Sequence, residues 1–159
     1  MKSQIKRSLL LVGLAAFLTA SAAEAAGPFQ FFSVTPCRIV DTRGPNSLVG
    51  GPALTSGVTR NFPIDVAPAA CGVPSTAKAA VLNVTLVSPS LDGFLSIWPF
   101  NTTPPLVSTI NAAAGEPAIA NGAIVPLTTA VNFNISVIYG TAVSGGSAHV
   151  ILDVTGYFQ

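Results

Sequence analysis

Proline and glycine limit what this chain can fold into more than any other feature. The 159 residues include 13 Pro and 14 Gly, which recur at short intervals after residue 25 and leave little room for a helix. Between them, apolar Leu82, Val84 and Leu86 alternate with polar Asn83 and Thr85. A period of two is typical of strands that have one face in a core and one face in water. The chain is therefore predicted to be all-β.

Turn-forming clusters of Pro, Gly, Asn and Ser separate the candidate strands. We predict strands at residues 29–34, 38–42, 58–66, 79–87, 94–100, 106–111, 118–127, 131–139 and 148–158. Many short strands at this spacing are typical of a β-sandwich or a jelly roll. No long repeat is visible, so we expect one domain of about eight or nine short strands.

The N-terminus has the pattern of a secretory signal peptide. Lys2, Lys6 and Arg7 precede an apolar run, and Ala23-Glu24-Ala25 has the small-residue pattern of a cleavage site. The apolar run is too short to be a good membrane span. We expect residues 1–25 to be removed and residues 26–159 to form one secreted, extracellular domain with no membrane span.

Charge is sparse after the predicted cleavage site. Four basic and five acidic residues remain among 134, a net charge of −1. They are Arg38, Asp41, Arg43, Arg60, Asp65, Lys78, Asp92, Glu116 and Asp153. No basic patch exists to meet phosphates, which argues against nucleic-acid partners. Weak charge repulsion favours self-association.

The two cysteines, Cys37 and Cys71, predict one disulfide. In an exported chain a single pair is normally oxidised. A metal site would need more soft or imidazole ligands than two Cys and one His supply. We therefore expect the disulfide, with no metal and no cofactor.

The segment 35–43 concentrates three charged side chains, Arg38, Asp41 and Arg43, in an apolar strand. Ideal alternation places Asp41 and Arg43 on one face and Arg38 on the other. Asp153 stands among apolar residues of the last strand, where an unpaired carboxylate is costly. The planar fork of Arg suits a bidentate carboxylate contact, so we predict Arg–Asp pairs that fasten the first strand to the last. The alternative is a polar-ligand or cation site built from Asp41 and Asp153.

Six short motifs are distributed along the domain, at its two ends and between them. They are Thr-Pro-Cys-Arg-Ile-Val-Asp-Thr-Arg (35–43), Cys-Gly-Val-Pro (71–74), Ala-Val-Leu-Asn-Val-Thr (80–85), Pro-Leu-Val-Ser-Thr-Ile-Asn (105–111), His-Val-Ile-Leu-Asp (149–153) and Asp-Val-Thr-Gly-Tyr-Phe (153–158). The set resembles a recurring β-sandwich module of secreted bacterial proteins, over essentially the whole chain after residue 25. The resemblance implies bacterial export and a module that occurs singly, in tandem, or beside hydrolase and binding domains. It carries no functional residues over to this chain.

Three aromatic residues, Phe94, Trp98 and Phe100, share one face of a predicted strand. The other face carries Leu95 and Ile97. One interpretation is ordinary core, since large aromatic side chains are mostly buried. The other is an exposed strip that stacks sugars or packs against a partner.

Phe29, Phe31 and Phe32 form an apolar arm just after the predicted cleavage site. The arm either completes its own sheet as an edge strand or inserts into a neighbouring molecule by strand addition.

Catalysis has little support in the sequence, which has no nucleophile elbow, zinc-protease motif or phosphate-binding loop. We therefore predict that the protein is not an enzyme. The leading hypothesis is a structural or adhesive extracellular module whose partner is itself or the cell envelope. The alternatives are a glycan-binding module that uses the aromatic strip and a small hydrolase that uses Asp41, Asp153 and His149.

Overall fold

The computed structural model describes residues 27–65, 71–129 and 132–159. The predicted signal peptide lies outside these ranges, as do residues 66 and 131 at the ends of two predicted strands. The described residues form nine strands in two antiparallel sheets and no helix, which confirms the all-β sandwich. None of them forms a helix of the length and apolar character needed to cross a membrane.

Most predicted strands are present; β4 has the predicted bounds, and the others have shifted ends. They are β1 (Phe31–Asp41), β2 (Leu54–Thr55), β3 (Arg60–Phe62), β4 (Ala79–Val87), β5 (Gly93–Pro99), β6 (Ile110–Ala112), β7 (Ala118–Pro126), β8 (Ile135–Thr141) and β9 (Ser147–Phe158). The first sheet has the order β1-β9-β4-β7, and β2 also pairs with β9. The second sheet has the order β3-β8-β5-β6.

The core lies between the two sheets and follows the predicted alternation. Leu82, Val84 and Leu86 of β4 are fully buried, while Asn83 on the other face is exposed. Tyr139 from β8 is also fully buried, and its hydroxyl donates to the carbonyl of Leu91 at 2.5 Å. Burial raises the pKa of the Tyr139 hydroxyl. The buried apolar faces of β4 and β8 thus supply much of the core.

The main difference from the prediction is in β1, a single strand where two were expected. Its pairing with β9 is irregular between Ser33 and Cys37 and again between Arg38 and Val40. At the second irregularity Ile39 and Val40 are both buried. The strict alternation predicted for this segment is therefore wrong, because the bulge adds one residue and returns the next side chains to the opposite face.

Candidate functional site

The four charged residues singled out in the sequence form one ionic network. Arg38 contacts Asp153 through two hydrogen bonds, from Nε to Oδ1 at 2.8 Å and from Nη2 to Oδ2 at 3.2 Å. Arg43 contacts Asp41 in the same bidentate way, from Nε to Oδ1 at 2.8 Å and from Nη2 to Oδ2 at 2.7 Å. A contact of 3.4 Å from Nη1 of Arg38 to Oδ2 of Asp41 joins the two pairs. The bulge in β1 makes this possible by placing Arg38 and Asp41 on the same side.

The ionic network lies on the outer face of the first sheet, not in an apolar interior. The side chains of Arg38 and Arg43 are about half exposed, and those of Asp41 and Asp153 are 26% and 21% exposed. The expectation that apolar surroundings enclose Asp153 is therefore wrong. Both carboxylates are engaged by guanidinium groups, and the described residues contain no group of three metal-ligating side chains. The geometry favours ion pairing over the cation-site alternative.

Removing the charge of Asp153 tests whether the pair fastens β1 to β9. We expect Asp153→Asn to lower the free energy of unfolding by about 1 kcal/mol or less, because half-exposed ion pairs are screened by water. A double-mutant cycle with Arg38→Gln, measured by urea unfolding, isolates the pair. A coupling energy indistinguishable from zero would show that the network does not fasten the strands.

The pKa of Asp41 predicts a dependence of stability on pH. The hydrogen bonds from Arg43 are the main cause that lowers this pKa from 3.8 to about 2. Stability from ionised Asp41 is thus fully present above its unfolded pKa of about 4 and is lost as the pH falls towards the folded value. We expect a loss of no more than about 1 kcal/mol between pH 5 and pH 2, given the exposure.

Urea unfolding of the Asp41→Asn variant beside the wild type measures this contribution. Other carboxylates titrate in the same range, so the informative quantity is the difference between the two proteins at each pH. That difference should shrink on acidification. A difference that stays constant would contradict the assignment.

The predicted disulfide is present. Cys37 in β1 is bonded to Cys71, with a Cα–Cα distance of 5.5 Å. Cys71 is buried, and Cys37 is packed against the core. The bond therefore anchors the strand that carries the ionic network to the segment that precedes β4.

Phe94 and Trp98 of β5 and Phe100, which follows the strand, are not exposed together, so the interpretation as an exposed strip is wrong. Trp98 is only 5% exposed, and its Nε1 donates to the carbonyl of Thr102 at 3.2 Å. Phe100 packs against the ring of Phe133, with centroids 5.4 Å apart. Phe94 alone stays 39% exposed. Its ring covers Gly140 on β8. A Cβ added to Gly140 would come within 2.3 Å of the Phe94 ring.

Trp98 is not part of the main core either. Leu95 and Ile97 of β5 belong to the core, so Trp98, which alternates with them, lies on the outer face of the second sheet, against the loop of residues 101–109. Besides the Trp98 bond, the hydroxyl of Ser96 donates to the carbonyl of Val107 in this loop at 2.6 Å. The chain therefore covers Trp98, but not Phe94, with this loop.

The phenylalanine arm completes its own sheet. Phe31 is paired with Phe158 and Phe32 with Tyr157 in the register of β1 with β9. The rings of Phe32 and Tyr157 stack with centroids 5.2 Å apart. Phe29 precedes the strand and is exposed. The structure thus shows the arm as an intramolecular edge strand, and strand addition through it gains no support.

His149 does not contact Asp41 or Asp153, the two carboxylates that the hydrolase hypothesis combines with it. Its Nδ1 lies 2.9 Å from the carbonyl oxygen and 3.2 Å from the hydroxyl of Thr42. Within the described residues, Asp41 and Asp153 have arginine partners instead. In the part of the chain that the structure describes, His149 therefore forms no acid–base pair with Asp41 or Asp153.

The chain matches no protein-family model, and a search of the curated proteins finds no match. The resemblance of its motifs to a secreted bacterial module therefore stays a prediction. Function must be argued from the geometry of this molecule.

One side of the sandwich is open, and its edge strand β7 has no charged residue. β7 is an edge of the first sheet, and residues 118–122 are exposed. Leu106 is fully exposed and Val107 largely so. Both line one surface depression with Phe94, and we call this apolar surface the loop patch. Asn121 of β7 connects the two features, since its Nδ2 donates to the carbonyl of Thr109 at 2.9 Å.

Sequence reasoning missed the role of Arg60. Its guanidinium donates to four backbone carbonyls of one loop, at 2.5–3.0 Å. These are the carbonyls of Ser47, Gly50, Gly51 and Pro52. Burial lowers the pKa of Arg60, and the guanidinium also lies 4.9 Å from the ring centroid of Phe62. A lone cation in a predicted strand carries no local signal for such contacts, which depend on how the loop folds back.

Proposed function

We propose that the chain is a secreted, extracellular structural or adhesive module without catalytic activity, which acts by self-association or by attachment to the cell envelope. The observation that carries this proposal is the open side of the sandwich, where the hydrogen bond from Asn121 to Thr109 joins the exposed edge of β7 to the loop that carries the loop patch. An exposed strand edge offers unpaired backbone groups, and exposed apolar side chains favour contact with another surface. Both features suit a protein that binds other proteins or itself.

The distribution of charge supports the same proposal. Arg38, Asp41, Arg43 and Asp153 are engaged with one another, and Arg60 is engaged by a loop. Few charged groups remain to keep two molecules apart at close range. Intramolecular use of the charges thus leaves the surface nearly neutral.

The alternatives have less support. Glycan binding through the aromatic strip would need Trp98 at the surface, and the 101–109 loop covers it. Hydrolysis would need His149 near Asp41 or Asp153, and it instead contacts Thr42. No specific observation favours either function.

Sedimentation velocity of residues 26–159, from micromolar to millimolar concentration, tests self-association. Cosedimentation with purified bacterial cell walls and with envelope vesicles tests attachment. We expect at least one of the two to show saturable association. A protein that stays monomeric throughout and binds neither preparation would overturn the proposal.

A further inference from the structure

The outer edge of β7 is long and regular. All nine residues from Ala118 to Pro126 pair with β4 without a shift in register. No described strand pairs with the other edge of β7. Backbone donors and acceptors along this edge are therefore free to pair with another strand.

β7 also lacks the devices that normally protect an edge. It has no charged residue and no bulge, and its single proline is the terminal Pro126. The opposite edge, β1, differs in each respect: it has two irregularities, Pro36 in its middle, and the charged side chains of Arg38 and Asp41. Charges, proline and bulges discourage edge-to-edge pairing. Of the two edges of the first sheet, β7 is the one open to strand pairing.

We infer that β7 of one molecule pairs antiparallel with β7 of a second copy, about a twofold axis. The first sheet of one molecule and the first sheet of the other then form one continuous sheet. This inference rests on the proposed self-association and names its interface. A twofold interface brings the same strand from both molecules together and closes on itself, which gives a dimer.

Charges at the two ends of β7 are complementary for this arrangement. Glu116 lies just before the strand, where its carbonyl accepts from the amide of Ser88 at 3.1 Å. Lys78 lies beside the other end, where its carbonyl accepts from the amide of Leu127 at 2.8 Å. In an antiparallel twofold pair, the start of each β7 meets the end of its partner. Each Glu116 is then brought towards the Lys78 of the other copy.

Glu116 and Lys78 do not pair with each other within one molecule. Neither forms an ion pair with any described residue. They lie beyond opposite ends of a nine-residue strand pair, which is itself roughly 27 Å long at the rise of an antiparallel strand. That separation exceeds the screening length of about 8 Å at physiological salt. A foreign strand has no reason to carry the matching charges, whereas a second copy carries both.

The side chains along the edge permit close approach. Ala118, Ala120 and Gly122 are small and exposed, so at these three positions a second strand meets no bulky or charged side chain. Ile124, the large residue of the same face, is 63% exposed. Pairing with a second strand would cover part of this apolar surface.

Sedimentation velocity of residues 26–159 and their variants tests the interface. We expect a dimer in the wild type and a weakened one in Ile124→Lys, which puts a charged side chain in place of the exposed apolar side chain that the second copy would partly cover. The matched control is Leu48→Lys. Leu48 is a similarly exposed apolar residue, and it lies in the loop that follows β1, the opposite edge strand of the first sheet. Circular dichroism confirms that each variant is folded.

Charge reversal provides the sharper test. Glu116→Lys alone and Lys78→Glu alone should each weaken the dimer about tenfold, since each reversal creates two like-charge contacts. The double variant Glu116→Lys/Lys78→Glu should restore the wild-type dissociation constant. Only contact between molecules can produce that restoration, because the residues are too far apart within one.

The outcomes separate the inference from the proposed function. Self-association that Ile124→Lys leaves unchanged, or that the double reversal fails to restore, overturns the β7 interface while the proposed function stands. A wild type that remains monomeric also overturns the interface, and the proposed function then depends on attachment to the envelope alone.

Discussion

Replacing Cys37 and Cys71 together by Ser should lower the free energy of unfolding by about 3–4 kcal/mol. The bond joins residues separated by 34 positions, and the unfolded chain regains the freedom of that loop when the bond is absent. A domain of this size has a total stability of about 5–15 kcal/mol, so the loss is a large fraction of the whole. Urea unfolding followed by tryptophan fluorescence and by circular dichroism measures it.

Reduction of the wild type provides the matched control for this variant. Wild-type protein unfolded in the presence of a reductant should show the same midpoint as the Ser variant, since both lack the bond. A loss of less than about 1 kcal/mol in the variant would contradict the chain-entropy argument for this loop. A difference between the reduced wild type and the variant would point to packing of the two side chains instead.

The sequence was sufficient to predict the fold class because the relevant signal is local. In β4, the apolar residues Leu82, Val84 and Leu86 alternate with polar ones, and the predicted bounds match the structure. The irregularities of β1 have no such local signal. They depend on how β1 pairs with β9, which is more than a hundred residues away along the chain. For this reason the alternation assigned to Arg38 and Asp41 was wrong.

Site chemistry was predictable in kind but not in position. Arg and Asp in an apolar strand indicate ion pairs, yet the choice of Asp153 for Arg38 and of Asp41 for Arg43 depends on the bulge. The sequence also did not show which strands lie at the edge of a sheet. The pattern of β7 resembles that of an interior strand, and only the sheet order shows that it is an edge.

Replacing Trp98 by Ala should lower the free energy of unfolding by about 3 kcal/mol, at the lower end of the range for buried Trp. The indole is 5% exposed and its Nε1 donates to Thr102, so the change removes both packing and a hydrogen bond. Phe94→Ala should cost less, because Phe94 is already 39% exposed. Thermal and urea unfolding of the two variants compare these losses directly.

A second pair of measurements separates covering of the sheet from recognition of a sugar. Limited proteolysis should cut Trp98→Ala within residues 101–109 much faster than the wild type, because the loop loses the side chain on which it rests. Trp98→Phe keeps an aromatic ring and should retain most of the protection while losing the Nε1 bond. A glycan array should give the same result for all three proteins. A Trp98→Ala variant that keeps wild-type stability and protease resistance but loses a sugar ligand would show that Trp98 binds sugar and does not support the loop. The indole would then have to reach solvent, and the loop could not cover it permanently.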